Sequence, residues 1–119
     1  MQLEITFNAY ADLDEIALYT TQYWGQKQAE KYLSLIYLAI DRIMENPRAL
    51  LRSDSQISKN LFFYRVEQHF IFCDLSPKRL TVLTIQNAAR DLPARLLDLE
   101  KSLKEEAIML HYRLQNRDE

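Results

Sequence analysis

Few residues of this chain could do acid–base or phosphate chemistry, and His69, Tyr64, Arg65 and Arg90 are the plausible cast. Metal-independent RNA cleavage needs a group to activate the ribose hydroxyl, an acid for the leaving oxygen and cations for the phosphorane charge. These four could supply that set if the fold brought them together. The other histidine, His111, stands far along the chain, and no Ser or Cys lies in a nucleophile motif. A single glycine, Gly25, cannot build a phosphate loop, which excludes the common nucleotide-dependent chemistries. Cys73 has Phe70, Ile71 and Phe72 before it and no second cysteine to pair with, so it reads as a small buried hydrophobe. No Cys/His cluster offers a zinc site, and neither a metal nor a cofactor is expected.

The elements that would position these residues belong to one compact domain. The 119 residues are 48% hydrophobic and 27% charged, enough apolar side chain for a single core and too much for a disordered chain. No basic segment followed by an apolar one opens the sequence, and no apolar run approaches the roughly 20 residues that span a bilayer. With a lone cysteine as well, a cytoplasmic, membrane-free protein is expected. The formal net charge of −2 is unevenly spread. Lys plus Arg against Asp plus Glu is 3 to 7 over residues 1–45, 8 to 4 over 46–95 and 4 to 6 over 96–119. The acidic total argues against sequence-specific nucleic-acid binding, while the basic middle can serve one anionic face.

Leu3, Ile5 and Phe7 alternate with Glu4 and Thr6, which predicts a short first strand. Asn8 is the expected N-cap of a helix carrying Leu13, Ile16, Ala17, Thr20 and Trp24 and ending at Gly25. A second helix over 26–45 carries Ala29, Leu33, Ile36, Ile40 and Ile43, and stops at Asn46-Pro47. The tight joint makes the two an antiparallel hairpin. Residues 47–60 are polar and predict a loop. Leu61–Val66, His69–Asp74 and Leu80–Ile85 predict a three-stranded antiparallel meander joining the first strand in one sheet, an α+β architecture. If Glu67 and Gln68 form the first turn, Val66 faces His69, Tyr64 faces Ile71 and Phe62 faces Cys73 on one side. Arg65 with Phe70, Phe63 with Phe72, and Leu61 with Asp74 then share the other. That register separates Arg65 from His69 and Tyr64, against a nuclease. Both faces are apolar, and the helix hairpin can cover only one. A C-terminal helix, begun by Pro93 and striped by Leu96, Leu99, Leu103, Ala107, Leu110 and Leu114, is the expected second cover, another protein the alternative.

Several words in this order carry a resemblance: Ala11-Asp12-Leu13-Asp14-Glu15-Ile16 with Tyr19-Thr20, Tyr23-Trp24-Gly25 with Gln28-Ala29 and Tyr32, Glu45-Asn46-Pro47, and Ala89-Arg90-Asp91. Together with a strand-borne His69 they resemble the ParE branch of the ParE/RelE toxin superfamily. The resemblance makes residues 1–92 the toxin-like domain and 93–119 a C-terminal helical extension of it. Two words depart from the family's common pattern: Asn60-Leu61-Phe62 stands where Gly-Leu-Arg is frequent, and Ile85-Gln86-Asn87-Ala88 where Val-Leu-His-Gly is.

The resemblance implies a type II toxin neutralised by a cognate antitoxin, serving plasmid or chromosome maintenance or a bacterial stress response. ParE members typically poison DNA gyrase and stop replication, whereas RelE members cut mRNA on the ribosome. The gyrase reading implies no catalytic residue; the nuclease alternative would rest on Arg65, His69, Tyr64 and Arg90. A ParE-like binding module without toxicity is a third possibility. Arg65, Arg90 and Arg95 are candidates for a basic patch facing the target, though Arg90 and Asp91 could form a local pair. Tyr19, Tyr23, Trp24 and Tyr32, with Phe63, Phe70 and Phe72 on the sheet, are candidates for the antitoxin surface. The ordinary reading, which helical spacing favours, places the first four in the core. A homodimer or a toxin–antitoxin hetero-oligomer is compatible with either.

Overall fold

A computed structural model describes residues 1–54, 56 and 58–89. The chain runs β1 (Gln2–Ile5), α1 (Phe7–Trp24), α2 (Gln26–Glu45), α3 (Pro47–Leu50), β2 (Arg52–Asp54), β3 (Ser58–Val66), β4 (His69–Leu75) and β5 (Arg79–Asn87). The strands form one five-stranded sheet in the order β1-β5-β4-β3-β2. β1 runs parallel to β5, and the other neighbours are antiparallel. The helix hairpin packs on one face, where Ile36, Ile40, Ile43, Leu13 and Ala9 meet Ile71, Cys73, Leu80, Val82 and Ile85.

Thr6, not Asn8, caps α1. Its hydroxyl accepts from the Ala9 N–H at 3.0 Å and donates to the Leu83 carbonyl at 2.8 Å, while its own N–H reaches the Val82 carbonyl at 3.1 Å. Thr6 wins because it is already anchored to β5, in extended backbone (φ −70°, ψ 162°), when the helix starts. Asn8 falls inside the first turn. Gly25 is the whole connection between the helices: its φ of +91° turns the chain, its N–H returns to the Thr21 carbonyl, and its carbonyl receives the Ala29 N–H. That region of backbone suits glycine alone.

The loop expected over 47–60 is replaced by structure. Pro47 opens the one-turn α3, as its fixed φ favours. β2 is a strand despite its polar sequence because it is the sheet's edge, exposed along its length and paired through Arg52↔Phe63 and Ser53↔Phe62. Its pairing also carries β3 back to Ser58, three residues before the apolar alternation begins. The β3–β4 register matches the two-residue turn: Val66↔His69, Arg65↔Phe70, Tyr64↔Ile71, Phe63↔Phe72 and Phe62↔Cys73. The observed pairing stops at Phe62, so Leu61–Asp74 is not part of it. Glu67 takes a left-handed φ of 51° to make the turn. Between β4 and β5 the register slips, Phe72 pairing Thr84 and Cys73 pairing Val82, which leaves Leu83 as an extra residue on β5. Because of it Leu80, Val82 and Ile85 all serve the helix-side core. Leu61, Phe72 and Leu83 are buried outside that core cluster. The helix expected over 93–119, their proposed cover, lies outside the described residues.

Replacing Thr6 by Ala removes the cap and leaves the Leu83 carbonyl without its buried donor, at a cost of about 2 kcal/mol. Urea unfolding followed by circular dichroism should show that loss, with Asn8→Ala costing much less.

Candidate functional site

A groove of about 790 Å³ opens between the tip of the helix hairpin and the near ends of β4 and β5. α1 supplies Asp12, Glu15, Ile16, Tyr19, Thr20 and Trp24, residues that fall on adjoining lines four apart along the helix. α2 adds Gln28 and Tyr32; the sheet adds Gln68, His69, Ile85, Gln86 and Asn87, with Ala89 at the mouth. No lysine or arginine is among these lining residues.

The α1 wall is held by Asp12. Its Oδ2 accepts from the Thr84 hydroxyl at 2.5 Å and from the Ile85 N–H at 2.9 Å. Ile85 lies beyond the stretch of β5 that β1 pairs, so the carboxylate takes the place of a missing strand. Gln86, almost fully buried, continues the network by donating to the Thr84 hydroxyl at 2.7 Å. Sequence reasoning passed over Asp12, Glu15, Gln28 and Gln86. The available signal was that Asp12 stands four residues before the buried Ile16, so it borders the buried stripe although it looks like a solvent-facing charge.

Opposite, the Tyr32 hydroxyl lies 2.6 Å from His69 Nδ1 and accepts from the Gln68 N–H at 3.2 Å. Burial raises the Tyr32 phenol above its ordinary value; the Gln68 N–H pulls the other way and the Glu67 carboxylate pushes up again. The phenol therefore keeps its proton through neutral pH and has one to share with Nδ1. Tyr32 is thus a hydrogen-bonded partner of the histidine; Tyr64, the other candidate on that side of the sheet, packs partly buried against the helix-side core. Arg65 pairs with Phe70 on the other side of the sheet, where its Nε donates to the Glu67 carbonyl at 3.0 Å and its guanidinium lies 5.6 Å from the Phe70 ring centre. Arg90 and Arg95 lie outside the described residues. The described members of the expected acid–base set are therefore split between two faces.

Of the aromatic residues expected to bind a partner, Tyr19, Tyr23 and Trp24 are 61%, 62% and 71% exposed. Those values rule out the alternative that they are core; Tyr32 alone is partly buried. Tyr19 and Tyr23 lie against each other, ring centres 4.6 Å apart. Across the sheet, Phe63, Phe70 and Phe72 form a cluster with centres 5.2 to 5.9 Å apart. Phe72 is fully buried, which leaves Phe63 and Phe70 as the members with surface. Among the described residues no group of three or more His, Cys, Asp and Glu could hold a metal ion, and no helix is long and apolar enough to cross a membrane.

The family model described as the ParE toxin of the type II toxin–antitoxin system parDE matches residues 3–92. The chain belongs to the ParE toxin family. It is 31% identical over 97 residues to the Toxin ParE of Escherichia coli, an alignment covering 79% of this chain and 91% of that protein. A structure from the chromosomal ParDE system of P. aeruginosa matches the fold with a TM-score of 0.66 at 20% identity, over 73% of this chain and 95% of that one. The ParE match spans the strand, the hairpin and the sheet, and therefore every described wall of the groove.

Two outcomes follow for this ParE-family site. Tyr32→Phe should cost about 1 kcal/mol near neutral pH through the lost hydrogen bonds. Because folding raises the phenol's pKa, its stabilisation is complete below the ordinary value of 10.0 and is lost as pH rises through it toward the folded value. Denaturant midpoints measured across that window should fall less steeply for Tyr32→Phe than for the unaltered chain. Cys73, whose thiol burial pushes up to about 12, should ignore a disulfide reagent in the native protein and react fully in guanidinium.

Proposed function

We propose that this ParE-family chain acts by binding proteins: it inhibits DNA gyrase in the cytoplasm and is neutralised by a cognate antitoxin in a hetero-oligomer. The observation that carries the reading is the groove's lining, which combines two carboxylates and three aromatic rings with no lysine or arginine among the described residues. A polyanion would meet repulsion there, whereas a polypeptide would find apolar surface and hydrogen-bonding amides. Tyr19, Tyr23 and Trp24, left in water together at the C-terminal end of α1, favour the same reading, since such patches serve contact with a partner. The likeness to the ParE branch supports gyrase as the target.

In this reading the toxin has two working surfaces. Tyr19, Tyr23, Trp24 and Tyr32 face the antitoxin, with Phe63 and Phe70 available on the opposite face. Arg65 meets the target, with Arg90 and Arg95, which lie outside the described residues, as the other candidates for that contact. The exposed Arg65 suits that role because its Nε contact and the Phe70 ring hold the guanidinium in place while the rest of the fork faces outward. The mRNA-cutting alternative lacks a cation beside His69 among the described lining residues.

Induced expression discriminates these readings. Gyrase–DNA cleavage complexes should accumulate while mRNA stays intact. Rapid mRNA cutting would overturn the proposal in favour of a nuclease, and unimpaired growth with antitoxin still bound would mark a module without toxicity. At equal protein level, Arg65→Ala should reduce growth arrest; unchanged arrest would remove Arg65 from the target patch.

A further inference from the structure

We propose that the groove recognises an arginine: the antitoxin segment that covers it inserts a guanidinium between the Glu15 carboxylate and the rings of Tyr19 and Trp24. The proposal rests on the reading that an antitoxin binds here, and it names the chemistry of that contact.

Charge complementarity is the first argument. Glu15 and Asp12 lie on the same wall, and no described lining residue is a lysine or arginine. Asp12 is committed to Thr84 and Ile85, which fixes its position; Glu15 is exposed one turn further on. The groove belongs mainly to the acidic part of the chain, in which residues 1–45 hold 7 acidic against 3 basic side chains. A cation entering there meets the exposed Glu15 carboxylate at close range, well inside the screening length of salt.

The second argument is shape. At about 790 Å³ the groove is the size of a site for a few side chains, not for a whole helix. Its walls are aromatic as well as acidic. A lysine ammonium would satisfy the carboxylate alone, whereas a planar guanidinium can stack on a ring face and fork to a carboxylate at once. Tyr19, one turn on from Glu15, and Trp24 are largely exposed and line the same groove, so both halves of that recognition are open to a partner. His69 Nδ1 is held by the Tyr32 hydroxyl at 2.6 Å.

Trp24 is the chain's one tryptophan, so intrinsic fluorescence reports the groove directly. The probe is a helical alanine–leucine peptide, free of tyrosine and tryptophan, with one central arginine. The control is the same peptide with citrulline, which keeps the shape and loses the charge. The arginine peptide should shift Trp24 emission saturably and bind at least about tenfold more tightly than the citrulline peptide at low salt. Glu15→Gln, at an exposed position, should preserve the fold by circular dichroism and erase the difference between the two peptides. Equal binding of both peptides to the unaltered chain, or no saturable shift with either, overturns the proposal. Co-purification of the protein encoded by an adjacent reading frame tests the antitoxin reading separately. If that protein binds and Glu15→Gln leaves its affinity unchanged, the arginine contact is wrong while the antitoxin reading stands; if none binds, the antitoxin reading fails whatever the peptides do.

Discussion

The fold depends on how the start of α1 is fastened to β5 once β1 has ended. β1 contributes only four residues, and past Ile5 the chain turns into a helix, leaving the second half of β5, among the described residues, with β4 on one side and no strand on the other. An unpaired strand edge in a folded interior costs free energy for each buried donor and acceptor left unmet. Side chains of the helix meet that demand instead. Thr6 answers Val82 and Leu83 through its N–H and hydroxyl, and almost two turns later Asp12 answers Thr84 and Ile85. Four successive residues of β5 are thus bound to the first two turns of α1. This clamp fixes the direction in which the hairpin leaves the sheet.

The groove is a consequence of that direction. α1 is tied down at its start and is free of the sheet toward Trp24, so hairpin tip and sheet diverge and a cleft opens between them. Tyr32, from the second helix, closes its floor by reaching His69 and the Gln68 N–H at the β3–β4 turn. Keeping Tyr19, Tyr23 and Trp24 in water sacrifices apolar burial worth on the order of 25 cal/mol per Å². A partner that covers these rings recovers that energy, as a protein working mainly through contact would require.

Much of this architecture was legible in the sequence because it follows from periodicity and from chain breaks. The two-residue joint at Glu67-Gln68 dictated the β3–β4 register and with it the separation of Arg65 from His69. Gly25 and Asn46-Pro47 dictated the ends of the helices. Where the reading failed, the deciding interactions were long-range. Thr6 displaced Asn8 as the cap through contacts with residues 76 and 77 positions away in the chain. β2 has the polar composition of a loop and becomes a strand only because β3 lies beside it. Asp12 and Gln86 stood in the sequence only as members of longer words, and only the parallel docking of β1 reveals a strand edge for Asp12 to satisfy. The aromatic residues of α1 followed helical spacing, which cannot tell a core stripe from a docking stripe.

Native-state hydrogen exchange at the Ile85 amide tests the clamp most directly, because that N–H points at a side chain and not at a neighbouring strand. The account predicts slow exchange at Ile85 in the unaltered chain, limited by large-scale opening. It predicts acceleration of roughly ten- to a hundredfold in Asp12→Ala, with Ile71 in the sheet's centre affected far less. An Ile85 amide that exchanges as slowly in Asp12→Ala as in the unaltered chain, or at the rate of a free peptide in both, would contradict it.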